Sequence, residues 1–238
     1  PSDSTSLTDN FIFSIYEDNT GALIIETQTG NFNKYHPQTE SFSLIKKDDL
    51  DLVNQMGSSL GALLVESNGT QWTGGLSRPV GLTRTDTKTG KSITFKHNTS
   101  DPTSLTDDKV YSVYRDRKKN LWVGTINGLD RLDEKTGKFI HFRHDPNNSN
   151  SLPDNWIWPI YEDSHGNLWI GTVRGGVSKF DPTSNTFVNF SYNPDDPTSI
   201  NDNFIFSIYE DRGGIIWIGT NTGGVNYFHP ASQVFERL

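Results

Sequence analysis

One segment of this sequence is written five times. Residues 204–220, FIFSIYEDRGGIIWIGT, align without a gap to residues 156–172, WIWPIYEDSHGNLWIGT, and to residues 109–125, KVYSVYRDRKKNLWVGT. Residues 11–27, FIFSIYEDNTGALIIET, are a fourth copy, and residues 60–75, LGALLVESNGTQWTGG, a fifth whose turn is one residue shorter. Positions 24, 72, 122, 169 and 217 correspond, at spacings of 48, 50, 47 and 48. A unit of that length cannot bury an apolar face alone, so the copies must pack on one another.

Each copy reads as four strands. The first, FIFSIYED, is apolar on both alternating sets, Phe11, Phe13 and Ile15 on one and Ile12 and Tyr16 on the other, as expected of a strand covered on both faces. An Asp-x-x-Gly stretch, Asp163 to Gly166 in copy four, then supplies a turn, because Asp bonds nearby backbone and Gly accepts positive φ. NLWIGT is the second strand, and a Gly-Gly turn at Gly175 and Gly176 leads to a third, stopped by Pro182. The fourth carries paired aromatics, Phe187 and Phe190 or Phe139 and Phe142. Antiparallel sheets apolar on both faces leave no face wet only when stacked around an axis. The expected fold is therefore an all-β propeller of five four-stranded antiparallel blades, one domain over 1–238. Its repeats fall at approximately 1–48, 49–98, 99–145, 146–193 and 194–238. The alternative is a five-blade piece of a longer array. Residues 1–10 align with 194–203 and Leu238 with Phe190, so the repeats are whole, without a shared closing strand. The chain opens on Pro1, as expected of a processed chain or an excised piece.

Composition narrows the function. Of 238 residues 12% are aromatic and 21 are glycine, a balance suited to many short strands and tight turns. A formal charge of -8 is the opposite of a nucleic-acid footprint. No apolar run approaches the roughly eighteen residues a membrane span needs, so no membrane contact is expected of this segment. Without cysteine there is no thiolate nucleophile or thiolate metal site. The six histidines show no metal spacing, and no phosphate loop or nucleophile elbow is present, so no metal and no cofactor is expected.

The Asp-x-x-Gly-x-x-Trp-[Ile/Val]-Gly-Thr core, followed by Gly-[Leu/Val] and a Phe/Leu-Asp/His end, resembles the two-component regulator propeller repeat. The signature stands intact as LWVGT, LWIGT and IWIGT in copies three to five. Copy one has Ile24 for Trp and Glu26 for Gly, and copy two has QWTGG and a longer insertion around Ser77 to Val80. The resemblance implies the extracytoplasmic sensor region of a bacterial signalling protein, periplasmic or extracellular, that senses a ligand, frequently a carbohydrate. A small molecule or oligosaccharide is the implied ligand, and a homodimer is compatible with it.

Trp72, Trp122, Trp169 and Trp217 hold the repeat position before the small residues, where a large ring packs between blades. Trp156 and Trp158 occur only in copy four and form a candidate stacking platform, with repacking against Pro159 as the plainer account. Polar residues precede each first strand, among them Asn10, Asn155 and Asn203, and would ring one mouth of the axis or simply end their turns. Lys109, Arg78 and Arg174 interrupt the repeat and could meet an anion, although a solvated charge is the common fate. Asp18, Asp116, Asp163 and Asp211 serve the hairpin turns, and Glu17, Glu66, Glu162 and Glu210 recur in phase. Glycoside hydrolysis needs one singular pair of acids, so repetition argues for structure and against an enzyme. A propeller glycoside hydrolase or lyase, and a protein-interaction or dimerisation scaffold, are the competing readings.

Overall fold

The computed structural model describes residues 6–10, 12–17, 22–27, 31–45, 63–75, 79–230, 232 and 234–237. Residues 1–5, Phe11, Asp18, Ser77, Arg78 and Leu238 lie outside them. The described residues form twenty strands and no helix. Blade 1 comprises β1 (Ile12–Glu17), β2 (Leu23–Thr27), β3 (Phe32–His36) and β4 (Ser41–Ile45). Blade 2 follows with β5 (Leu63–Val65), β6 (Thr70–Thr73), β7 (Leu82–Asp86) and β8 (Ser92–Phe95). Blade 3 is β9 (Val110–Arg115), β10 (Leu121–Thr125), β11 (Gly128–Asp133) and β12 (Lys138–Phe142). In blade 4 they are β13 (Ile157–Glu162), β14 (Leu168–Thr172), β15 (Val177–Asp181) and β16 (Thr186–Phe190). Blade 5 has β17 (Ile205–Glu210), β18 (Ile216–Thr220), β19 (Val225–His229) and β20 (Val234–Arg237). Each blade is an antiparallel meander in chain order, so no strand is shared between repeats.

The first strands of neighbouring blades touch: β5 with β9, β9 with β13, β13 with β17, and β17 with β1. They are innermost in the ring yet edge strands of their own sheets, which is why Pro159 is tolerated inside β13. The cores lie between blades. Trp122 and Leu129 of blade 3 pack on Ile157, Ile170 and Phe180 of blade 4. Trp72 of blade 2 meets blade 3, Trp169 of blade 4 meets blade 5, and Trp217 of blade 5 meets Ile12, Ile15 and Phe42 of blade 1.

The small residue after each Trp explains the close approach. A Cβ on Gly124, Gly171 or Gly219 would stand 2.8, 2.7 or 2.5 Å from the Cγ2 of Ile157, Ile205 or Ile12 on the next blade. Blade 5 thus meets blade 1 through the same contact that joins blades 3 to 4 and 4 to 5. A backbone bond repeats as well: the amide of Gly176 donates to the carbonyl of Asn203 at 2.9 Å, and that of Gly224 to Asn10 at 3.2 Å.

The alternation read from FIFSIYED does not hold through the strand. Ile205 and Ile208 lie in one core although three residues apart, as do Ile157 and Ile160, Val110 and Val113, and Ile12 and Ile15. A β-bulge accounts for this. The register shifts between Ile205 and Ser207, between Ile157 and Ile160, between Ile12 and Ser14, and opposite Gly124 and Thr125, where β9 skips from Ser112 to Val110. The extra residue moves the core face by one position and re-aims its own side chain.

Candidate ligand-binding site at the mouth of the ring

The bulges create the site. Tyr111, Trp158 and Phe206 occupy the bulged position of three consecutive first strands, and Trp156 and Phe204 stand just before β13 and β17. Their rings form a continuous cluster across blades 3, 4 and 5. Tyr111 lies 5.6 Å from Trp156 and 5.4 Å from Trp158, Trp158 lies 5.8 Å from Phe204 and 4.9 Å from Phe206, and Phe204 stacks on Phe206 at 4.4 Å. Trp156 and Trp158 are half-buried, so they are not sealed between blades. The indole nitrogen of Trp156 is buried and has no hydrogen-bond partner. Burial pushes the Tyr111 phenol pKa up, with the charge of Asp107 adding to it, and the hydroxyl stays a neutral donor.

The polar residues expected at this end are there, with defined duties. The Asn155 side-chain oxygen accepts the amide of His144 at 2.7 Å, and that of Asn203 accepts the amide of Tyr192 at 2.7 Å. Both clasp the exit of a preceding fourth strand, as Asp108 does for His97. Asn10 is exposed, and its carbonyl joins blade 1 to blade 5. Lys109 is exposed beside Tyr111, its backbone amide held by Asp107. Arg174 is exposed in the β14–β15 turn, which is tied to the platform because Val173 donates to the Trp156 carbonyl at 3.1 Å. The chain order places Lys109, Asn155, Trp156, Trp158, Arg174, Asn203 and Asn10 at one end of the ring. Ring contact unites only the tryptophans. Tyr111, Phe204 and Phe206 complete the cluster. Each was visible in the sequence as an aromatic at the same repeat offset as a tryptophan of copy four.

The in-phase acids are occupied elsewhere, at the opposite end of the first strands. Asp116, Asp163 and Asp211 each accept the indole N–H of their blade's Trp at 2.8, 2.9 and 2.7 Å, and turn amides besides. Glu66 pairs with Arg115 at 2.7 Å, Glu162 accepts the amide of Arg117, and Glu210 holds Ser164. These glutamates join each turn to the neighbouring blade.

Five meandering sheets around an axis, touching through their first strands, make this chain a five-bladed β-propeller. The profile of the family described as two component regulator propeller matches residues 104–127, 151–174 and 199–222, each spanning an inter-blade loop, a first strand and a second strand. The three matches fall on copies three, four and five, which are similar to that family's repeat. Among solved structures, the chain is similar to the extracellular domains of two hybrid two component systems from B. thetaiotaomicron. One has 26% identity over 98% of this chain and 30% of that one, with a TM-score of 0.62. The other has 21% identity over 95% of this chain and 37% of that one, with the same TM-score. This chain spans about a third of their length. Virginiamycin B lyase from Staphylococcus aureus is similar in fold alone, at 14% identity over 99% of this chain and 72% of the lyase, with a TM-score of 0.55. No curated protein matches the chain.

Proposed function

We propose that this propeller is a non-catalytic ligand-binding module in the extracytoplasmic, sensing part of a bacterial signalling protein. The single observation that carries the reading is the five-ring aromatic cluster at the mouth, built from three blades and half open to solvent. Aromatic faces bind the apolar faces of small molecules, and a buried indole N–H without a partner gives such a ligand a directional contact. The similarity to extracellular domains of two component systems supports the sensing role and the compartment. An oligosaccharide, with alternating apolar and hydroxylated faces, suits this surface. The acids that recur in phase hold turns and neighbouring blades, which supports binding over hydrolysis. On the outermost strands the exposed aliphatics Leu44, Ile93, Ile140 and Val188 stand one per blade in blades 1 to 4, a distribution that favours a small ligand over a protein scaffold.

A glycan array probed with the folded chain tests this. Binding to one glycan class, lost in Trp158→Ala and weakened in Trp156→Ala, is the expected result. Undiminished binding by both variants would displace the site from the mouth, and a folded protein that captures no glycan would remove the carbohydrate.

A further inference from the structure

Blade 5 departs from the other four at one position facing outward from its second strand. The third-strand residue beside the Trp position is Lys34, Arg84, Arg131 and Lys179 in blades 1 to 4, and Tyr227 in blade 5. In blades 2 to 4 that cation lies over its blade's own Trp, at 5.7, 5.5 and 6.0 Å from the ring. Trp217 has Tyr227 there instead, at 5.4 Å. The cross-strand partner changes too. Ile93, Ile140 and Val188 face the cations of blades 2 to 4, whereas Glu236 faces Tyr227 and accepts its hydroxyl at 2.6 Å. Blade 5 has exchanged a cation and an aliphatic for a phenol and a carboxylate.

The adjoining groove has opened at the same place. Between blades 3 and 4 the groove lined by Asp116, Trp122, Arg131, Leu168 and Phe180 has a volume of about 30 Å³. The equivalent groove between blades 5 and 1, lined by Asp211, Trp217, Tyr227, Leu23 and Tyr35, has about 560 Å³. Tyr35 lies 5.3 Å from Trp217, edge to face, and both tyrosines are half-buried with Trp217 beneath them. The hydrogen bond to Glu236 pushes the Tyr227 pKa up to about 12, with burial and the charges of Glu236 and Glu40 adding to it, and burial and Glu40 raise that of Tyr35. Carboxylate charge thus acts on both phenols. Lys34 and Arg212 also stand in the lining, and each has interactions of its own.

We propose that the groove between blades 5 and 1 binds an organic cation, an ammonium or guanidinium group of a small molecule, on the Tyr35–Trp217–Tyr227 cluster. The ligand supplies from outside the charge that blades 2 to 4 carry in their own third strands. Electron-rich ring faces attract a cation, and the attraction grows as the site is withdrawn from water. This groove lies at the hairpin end of the first strands, away from the mouth, and does not depend on the ligand proposed there.

The test titrates the intact chain with choline and with its neutral isostere 3,3-dimethylbutan-1-ol, by calorimetry and by chemical shifts of the indole N–H signals. Choline is expected to bind at least about tenfold more tightly than the isostere. Tyr227→Arg restores the residue of blade 3 and should abolish choline binding. Glu236→Gln, at an exposed position, should weaken it severalfold even if Tyr227→Arg does not fold, and Trp158→Ala should leave it unchanged. No saturable choline binding, equal affinity for the isostere, or indifference to Glu236→Gln would each overturn the proposal, whatever the glycan array shows.

Discussion

The tryptophans show how one side chain's partner sets its worth. Trp122, Trp169 and Trp217 each donate to a turn aspartate, whereas Trp72, fully buried, has no partner for its indole nitrogen because copy two has Ser67 and a shorter turn in place of the Asp. Asp116→Ala should therefore cost about 2 kcal/mol in chemical denaturation, since it leaves the Trp122 N–H buried and unpaired. Trp72→Phe should cost less than Trp122→Phe, having no hydrogen bond to lose; the reverse order would refute the assignment. A second residue-scale expectation concerns His141, whose ring bonds the fully buried Asp130 at 2.7 Å and the Pro102 carbonyl at 2.9 Å. The bond to Asp130 holds the imidazole pKa above its ordinary value, against burial and the charge of Arg143. Folding thus favours the protonated ring. That contribution is complete below the ordinary histidine pKa of about 6.5 and is lost as pH rises through the higher folded value. Copy four holds Asn189 at this place, bonded to Ser178. His141→Asn should flatten the fall in melting temperature between pH 6 and pH 9, and an unchanged slope would exclude His141 as its source. The role of His141 was not legible in sequence, since it depends on a carboxylate eleven residues earlier, on the preceding strand, and the significance of Ser67 for Trp72 emerges only once the Trp–Asp bond of the other copies is seen.

At the scale of the element, the four-strand meander was readable from period, turns and glycines, and the repeat order of the sheets follows it. The phase within the first strand was not. Strict alternation assigns Phe13 and Ile15 to one face, but a bulge places Ile12 with Ile15 and Ile205 with Ile208. The spacing of apolar residues at i and i+3 inside a strand was the available signal, hidden because nearly every position there is apolar. The bulge also explains why the candidate site was seen only in part. Trp156 and Trp158 are conspicuous as departures from the repeat, whereas Tyr111, Phe204 and Phe206 are aromatics at the same offsets that nothing in their own copies sets apart. The glycine that receives the neighbouring blade can be tested directly. Gly171→Ala sets a methyl group 2.7 Å from Ile205 and 2.5 Å from Pro159, and should lower stability by about 2 kcal/mol. A neutral result by urea unfolding would mean that blades 4 and 5 separate more readily than their packing indicates.

For the whole molecule, closure is the question, and one substitution addresses it. Blade 5 meets blade 1 through Gly219 and Ile12 just as blade 4 meets blade 5 through Gly171 and Ile205. If the ring is closed in solution, Gly219→Ala should destabilise the chain as much as Gly171→Ala does. A silent Gly219→Ala beside a damaging Gly171→Ala would show an open arc. Closure also governs the groove proposed for a cation, since Trp217 and Tyr35 come from blades 5 and 1. The bulged residue of each first strand bears on how such a ring acquires new ligands. The residues around it that enter the core, Val110 and Val113, Ile157 and Ile160, and Ile205 and Ile208, are fixed by the fit between blades, but the bulged residue itself is Tyr111, Trp158 or Phe206 and belongs to none of these core clusters. The scaffold thereby separates what must stay the same from what is free to change, and mouth chemistry can be rewritten one blade at a time without renegotiating the packing that holds the blades together.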